Sequence, residues 1–524
     1  MFEYQIDFSK YKLRDYEKEL ALREFENQFP TVRDKSINES GISFTTNKLL
    51  DEQKLKKLTF YSEFHYQNGQ FEKISILTDQ TLVENCRKSK QKDLFEDIKP
   101  NKTREVRYLT HSAHEYKGRF YPQLAKAFMN YACIKKGDTV LDPFCGSGTT
   151  LVESFLFGAN AIGVDINPIA FLLAKAKVKS LLLEQKDLMQ VSKSFGNLKE
   201  NYDWEEIKFK ECNNYLDIEY LQNWFPEHNL KKIILIQNII KKLPTETAEL
   251  FAKVVLSNML KEFSFQDPSQ LRIRRRPDAP PENLIETFKK NLNEQIEILE
   301  KFQSLNRFKL NSNVQNYLGD VRSLMESTNL NKNSIDVVIT SPPYATALPY
   351  VDTDRLSLFA FGYTDRSSFR KLEKSLIGNR EITKSNRLIL DKELESNFKS
   401  SVLPKDVVSL LKKIYLLNVN SDVGFRRKNT AALLYKYFMD MRIGIEKVSY
   451  VLKKGKLAFF VVGNNRTTAG KENINIATDD FIGLIAEQSN FELIEKISMS
   501  VQKGYMIHSK NSINTESILI LQRK

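Results

Sequence analysis

The stretch 137–168 narrows what this chain can fold into more than any other part of it. Asp138-Thr139-Val140-Leu141-Asp142 reads as a short apolar strand, followed by the glycine loop Pro143-Phe144-Cys145-Gly146-Ser147-Gly148. A helix begins at Thr149/Thr150, where Thr150 and Glu153 have capping-box spacing, and it stops at Gly158. A second strand, 161–164, ends at Asp165, and Asn167-Pro168 opens another helix with an N-cap and a first-turn proline. Strand, helix, strand, helix in so short a span is a parallel α/β unit. The loop is not GxGxxG and no GK[ST] follows, which argues against a dinucleotide or triphosphate site. Asp165 ends the next strand, where a carboxylate accepts hydrogen bonds from ribose hydroxyls.

The same rhythm resumes far downstream. Ile335-Asp336-Val337-Val338-Ile339-Thr340 reads as a buried strand that runs into Ser341-Pro342-Pro343-Tyr344. Two prolines there fix φ and remove two backbone donors, leaving nearby carbonyls free to accept from a ligand. Tyr344 adds a flat face on which an unstacked base can lie. A strand at 457–462, a helix at 480–488 and an antiparallel strand pair at 491–499 and 517–521 complete the pattern. Between these blocks, 184–312 has helical spacing and reads as an insertion, and 365–430 is polar. Residues 1–104 are lysine-rich and weakly periodic, with a helix expected over 16–29 and short strands or a mixed segment over 58–77.

The chain has 524 residues and a formal charge of +13, an excess that favours a polyanionic partner. Arg272, Arg274, Arg275 and Arg276 are the first candidates for phosphate contact, with Arg370, Lys371, Lys374 and Arg380 second. The four cysteines, Cys86, Cys133, Cys145 and Cys212, form no CxxC pair, and only five histidines accompany them, so no metal site is expected. Free thiols suit a reducing compartment. The first residues lack a signal-peptide pattern, and no apolar run approaches the roughly 18 residues of a membrane span. The expectation is a soluble cytoplasmic protein without membrane contact.

Taken together, DPFCGSGTT, GVDINP, LGD and TSPPY resemble the amino-methyltransferases of bacterial restriction–modification systems, and 114–122 (HEYKGRFYP) is similar to their segment before the first strand. The resemblance covers roughly 105–180 and 315–524. In that family an acid or amide usually precedes Pro-Pro-Tyr in adenine N6 enzymes, and serine often does in cytosine N4 enzymes. The glycine loop here resembles that of enzymes in which Ser-Pro-Pro-Tyr comes first, yet here it comes last.

The resemblance implies a Rossmann-like α/β fold: a seven-stranded methyltransferase sheet, mostly parallel, closed by an antiparallel C-terminal hairpin. It divides into an N-terminal extension (1–104), a cofactor half (105–183), the helical insertion (184–312) and a catalytic half (313–524) whose 365–430 segment is a candidate for target recognition. S-adenosylmethionine is the implied cofactor. Its contacts would fall on Tyr116, Lys117, Phe120, Asp142, Phe144, Gly146, Gly148, Thr149, Asp165 and Asp320. Ser341, Pro342, Pro343 and Tyr344 would engage the target amine. Duplex DNA is the implied substrate and a cognate restriction endonuclease the implied partner, with cytosine N4 the favoured position. Adenine N6, guanine N2 of structured RNA, and a silent nucleic-acid-binding homologue are the alternatives.

Overall fold

The computed structural model describes residues 1–68, 73–87, 99–118, 120–200, 217–270, 272–345, 349–398, 401–500 and 515–524. The chain opens with β1 (Phe2–Phe8), β2 (Ser36–Ile37), β3 (Gly41–Thr46), β4 (Tyr61–Asn68) and β5 (Ile74–Leu77), an antiparallel sheet in the order β2-β3-β1-β4-β5. Tyr4, Ile6 and Phe8 alternate inward along β1, the period of a strand with one covered face.

This N-terminal extension is packed tightly onto the first helix of the cofactor half. Its helix Asp15–Gln28 lies on the helix Pro122–Tyr131, and one apolar cluster runs through both regions. Across that seam the buried Glu24 accepts hydrogen bonds from Thr59 N (2.9 Å) and Asn130 Nδ2 (2.8 Å). Burial raises its carboxyl to about 7.

The second sheet contains β6 (Thr139–Asp142), β7 (Asn160–Asp165), β8 (Val314–Leu318), β9 (Ile335–Thr340) and β10 (Leu452–Gly463). A small hairpin, β11 (Asn465–Ala469) and β12 (Glu472–Ile476), precedes β13 (Phe491–Ser500) and β14 (Thr515–Arg523). The order is β13-β14-β10-β9-β6-β7-β8, with β14 antiparallel to both β10 and β13 and the remaining neighbours parallel. This is the seven-stranded Rossmann-like sheet with its terminal hairpin. Every residue of β9 is buried, as expected for a central parallel strand covered on both faces. Strand order reverses between β6 and β9, so a crevice opens at their carboxyl ends.

Local chemistry fixes that crevice. Gly148 caps the helix Thr149–Phe157 at φ +81°, and a Cβ there would lie 2.8 Å from the Ala174 Cα. Asn167 Oδ1 accepts from Ile169 N (3.0 Å) and Pro168 occupies the first turn of the next helix, Pro168–Ser180. The expected Thr150–Glu153 capping box does not form. Thr150 Oγ1 donates instead to Asp142 Oδ2 (2.6 Å), while Glu153 is buried and accepts from Tyr108 Oη (2.9 Å).

The described part of 184–312 is mainly helical. Within it, Glu246–Met259 packs on Pro168–Ser180. The 365–430 segment is also helical. It is followed by the helix Thr430–Val451, which sequence periodicity did not single out because apolar residues surround it on most sides. Cys212 lies outside the described residues. Among those described, no helix is long and apolar enough to cross a membrane.

Asp142 is the polar tie between β6 and β9: its Oδ1 accepts from Thr340 Oγ1 at 2.6 Å. Thr340→Val keeps the shape and removes that donor from a buried acceptor. A stability loss of about 1–3 kcal/mol is expected in urea denaturation; an unchanged midpoint would contradict the role given to this bond.

Candidate active site

A cavity of about 760 Å³, counting its open mouth, occupies the crevice. Tyr116, Phe144, Gly146, Asp165, Ile166 and Asn167 form one side, and Asp320 and Val321 the floor after β8. Ser341, Pro342, Pro343, Tyr344 and Tyr350 form the opposite side, and Ser375, Leu376 and Ile377 close it. The glycine loop and the prolyl turn therefore share one space.

Asp165 is held by two backbone donors, Gly146 N to Oδ2 and Asn167 N to Oδ1, each at 2.9 Å. Each oxygen keeps a lone pair for a hydroxyl. The side chain retains some exposure to the cavity, yet burial in the surrounding protein raises its carboxyl to about 6. Behind it, Asn167 Nδ2 donates to Asp354 Oδ2 (3.0 Å), a carboxyl raised to about 7 by burial. Asp354 went unrecognised in the sequence because nothing marks VDTDRL as more than a helix start. Asp320 caps its own turn and is gripped by the Arg322 guanidinium (Nε to Oδ1 3.0 Å, to Oδ2 3.1 Å). The same arginine reaches Asp440 (2.9 Å) and the Ser375 carbonyl (2.6 Å).

Across the cavity, the Ser341 hydroxyl donates to the Val461 carbonyl (3.0 Å). Tyr344 N donates to Tyr350 Oη (2.7 Å), and Tyr437 Oη donates to the Pro343 carbonyl (2.9 Å). Among the described residues no donor reaches the Pro342 carbonyl.

Five of the ten expected cofactor residues line the cavity: Tyr116, Phe144, Gly146, Asp165 and Asp320. The others do not. Asp142 lies behind the loop as a hydrogen-bond hub, with its carboxyl raised to about 6 by burial. Gly148 and Thr149 begin the helix, Lys117 pairs with Glu115 (2.9 Å), and Phe120 packs against the core. The structure divides the four arginines. Arg275 stacks on Trp224 and Phe265, and Arg276 donates to the Glu262 carbonyl (3.0 Å), so both secure their own loop. Arg272 pairs with Glu381 (3.1 Å), and Arg274 is exposed. The wall residues Ser375–Leu376–Ile377 were missed individually, since their segment drew attention only as a polar block.

The cavity fits a cationic, phosphate-free ligand. Among the described residues its walls carry no lysine or arginine, while Asp165 and Asp320 line it and Asp354 stands behind. Elsewhere, Asp7, Glu63 and His65 converge on the N-terminal sheet, with the Lys10 ammonium already bonded to Asp7 (2.9 Å).

Comparison with known proteins agrees with this geometry. A family model described as DNA methylase, of the N6 and N4 kind, matches residues 14–176. The chain is 25% identical over 423 residues to the Type II methyltransferase M.MvaI of Kocuria varians, covering 77% of this chain and 86% of that protein. It is 26% identical over 438 residues to the Type II methyltransferase M.BsoBI of Geobacillus stearothermophilus, covering 75% and 81%. Over most of its length the chain is thus similar to Type II DNA methyltransferases, and over 14–176 to the N6 and N4 DNA methylase family. A tRNA (guanine(10)-N2)-dimethyltransferase of Methanocaldococcus jannaschii is 29% identical over 161 residues, 31% of this chain and 37% of that protein.

The match to a DNA methylase family points to S-adenosylmethionine as the methyl donor, and the acid-lined cavity suits its positive sulfonium. Because Asp165 titrates near 6 rather than near 3.8, its charge is present above that pH and lost below it. Donor affinity in calorimetry should fall about tenfold from pH 7.5 to pH 5. Asp165→Asn should bind weakly with a flatter profile; a flat wild-type profile would contradict the assignment.

Proposed function

We propose that this enzyme methylates the N4 amine of cytosine extruded from duplex DNA within a short specific sequence. The observation that carries this reading is the state of two oxygens facing one cavity. A hydroxyl has one hydrogen to give and two lone pairs. The Ser341 hydroxyl lines the cavity and donates to the Val461 carbonyl, which leaves its lone pairs for a ligand, and the adjoining Pro342 carbonyl would be a second acceptor.

An aromatic amine is a poor nucleophile because its lone pair is delocalised into the ring. Two acceptors for its two hydrogens favour a pyramidal nitrogen and localise that lone pair. S-adenosylmethionine, when bound, supplies an electrophilic methyl group. Asp165 would hold the ribose, Phe144 and Ile166 would flank the adenine, and Asp320, steadied by Arg322, would accept from its amine. Tyr344 would hold the target ring against one side. Orientation then provides most of the rate, and the amine proton leaves to water after transfer. Serine before Pro-Pro-Tyr, as in many cytosine N4 enzymes, supports cytosine over adenine.

DNA would approach along the cavity mouth. The helix Arg366–Ser375 carries exposed Arg370, Lys371 and Lys374 and ends at the cavity wall, which supports 365–430 as a target-recognition segment. Arg272 and Arg274 remain the candidates from the 272–276 loop for phosphate contact. A cognate restriction endonuclease would share the target sequence.

Mass spectrometry of nucleosides from DNA methylated by the enzyme should show N4-methylcytosine. N6-methyladenine alone, or activity confined to tRNA, would overturn the proposal. Ser341→Ala should lower turnover on the order of a hundredfold with donor affinity unchanged; normal turnover would remove Ser341 from the mechanism.

A further inference from the structure

The tyrosine of the prolyl turn is seated on a specific pair of strand residues that no motif includes. Gly463, the last residue of β10, stands directly opposite Glu516 in the antiparallel β10–β14 ladder. The Tyr344 ring crosses this pair. A Cβ at Gly463 would sit 2.7 Å from its Cε2, 2.9 Å from Cζ and 3.1 Å from Cδ2, so only glycine leaves the ring its place. At the far end, the Tyr344 hydroxyl donates to Glu516 Oε1 at 2.6 Å. The other end of the residue is fixed by Tyr344 N donating to Tyr350 Oη. Ring, hydroxyl and backbone are thus each held by a different element, while the ring still lines the cavity.

We infer that Glu516 is a positioning residue for methyl transfer: its carboxylate anchors the Tyr344 hydroxyl and so sets the plane of the ring against which the target base lies. Resting on the proposed reading of Tyr344 as the base platform, the inference adds a residue that touches neither donor nor base. A charge-assisted hydrogen bond in a partly buried setting is strong enough to select one orientation. Burial raises the Glu516 carboxyl, and among the described residues the tyrosine is the side chain it hydrogen-bonds. A merely structural strand position has no need of an acid.

The test is a double-mutant cycle on the full enzyme with its DNA substrate, reading kcat, KM for DNA and donor affinity separately. Glu516→Leu and Tyr344→Phe should each lower kcat about tenfold while donor affinity by calorimetry stays unchanged, which also verifies folding. The double variant should be no slower than either single one, because both remove the same bond. Glu516→Gln, which still accepts from the hydroxyl, should stay within about threefold of wild type. Wild-type kcat in both single variants, or losses that multiply in the double variant, would overturn the anchor. Tyr344→Ala separates the two claims. If it turns over normally, the base-platform reading itself fails. If it is inactive while Glu516→Leu is normal, only the anchor fails.

Discussion

One buried carboxylate sets the distance between the two halves of this active site. Asp142, at the end of β6, accepts from Phe144 N, from Thr150 on the following helix and from Thr340 at the end of β9. Those three bonds bind the start of the glycine loop to the strand that delivers Ser-Pro-Pro-Tyr. A sheet whose order reverses between β6 and β9 opens a crevice there in any case. What Asp142 adds is a fixed register between the loops that leave the two strands. Burying an acid is costly unless its lone pairs are occupied, and here three donors occupy them.

The large insertions extend this core without interrupting it. The helical insertion enters between the strand pair β7–β8 and covers the helix that Asn167 caps. The later segment returns to the cavity through Ser375–Leu376–Ile377, held by Arg322, which also grips Asp320 and Asp440. The acid expected at the donor's adenine and the wall near the target are thereby joined through one guanidinium. The N-terminal sheet shares the apolar cluster with this core, and the matched family region begins inside the extension, at residue 14.

Much of this was legible in the sequence because it depends on local rules. The strand–loop–helix unit, the Asn167 cap, the acid after β7 and the terminal hairpin all follow from spacing and turn chemistry. Other features depend on partners distant in the chain. Asp142 reads as part of a loop that touches a ligand, and only the fold shows Thr340 beside it. Asp354, Glu516 and Gly463 carry no local mark, since each acquires its role from a residue more than a hundred positions away. Arg275 and Arg276 illustrate the converse. Four arginines in five positions look like a phosphate surface, yet an arginine near Trp224 finds a nearer use stacking on it.

The proposed methyl transfer depends on the two turns facing each other across one space. The most direct test is a crystal structure with sinefungin, whose amine stands where the donor methyl would be. The ribose hydroxyls should lie on Asp165, with the amine directed toward Ser341 Oγ and the Pro342 carbonyl. Sinefungin bound with its ribose away from Asp165, or with its amine directed away from the prolyl turn, would contradict that arrangement.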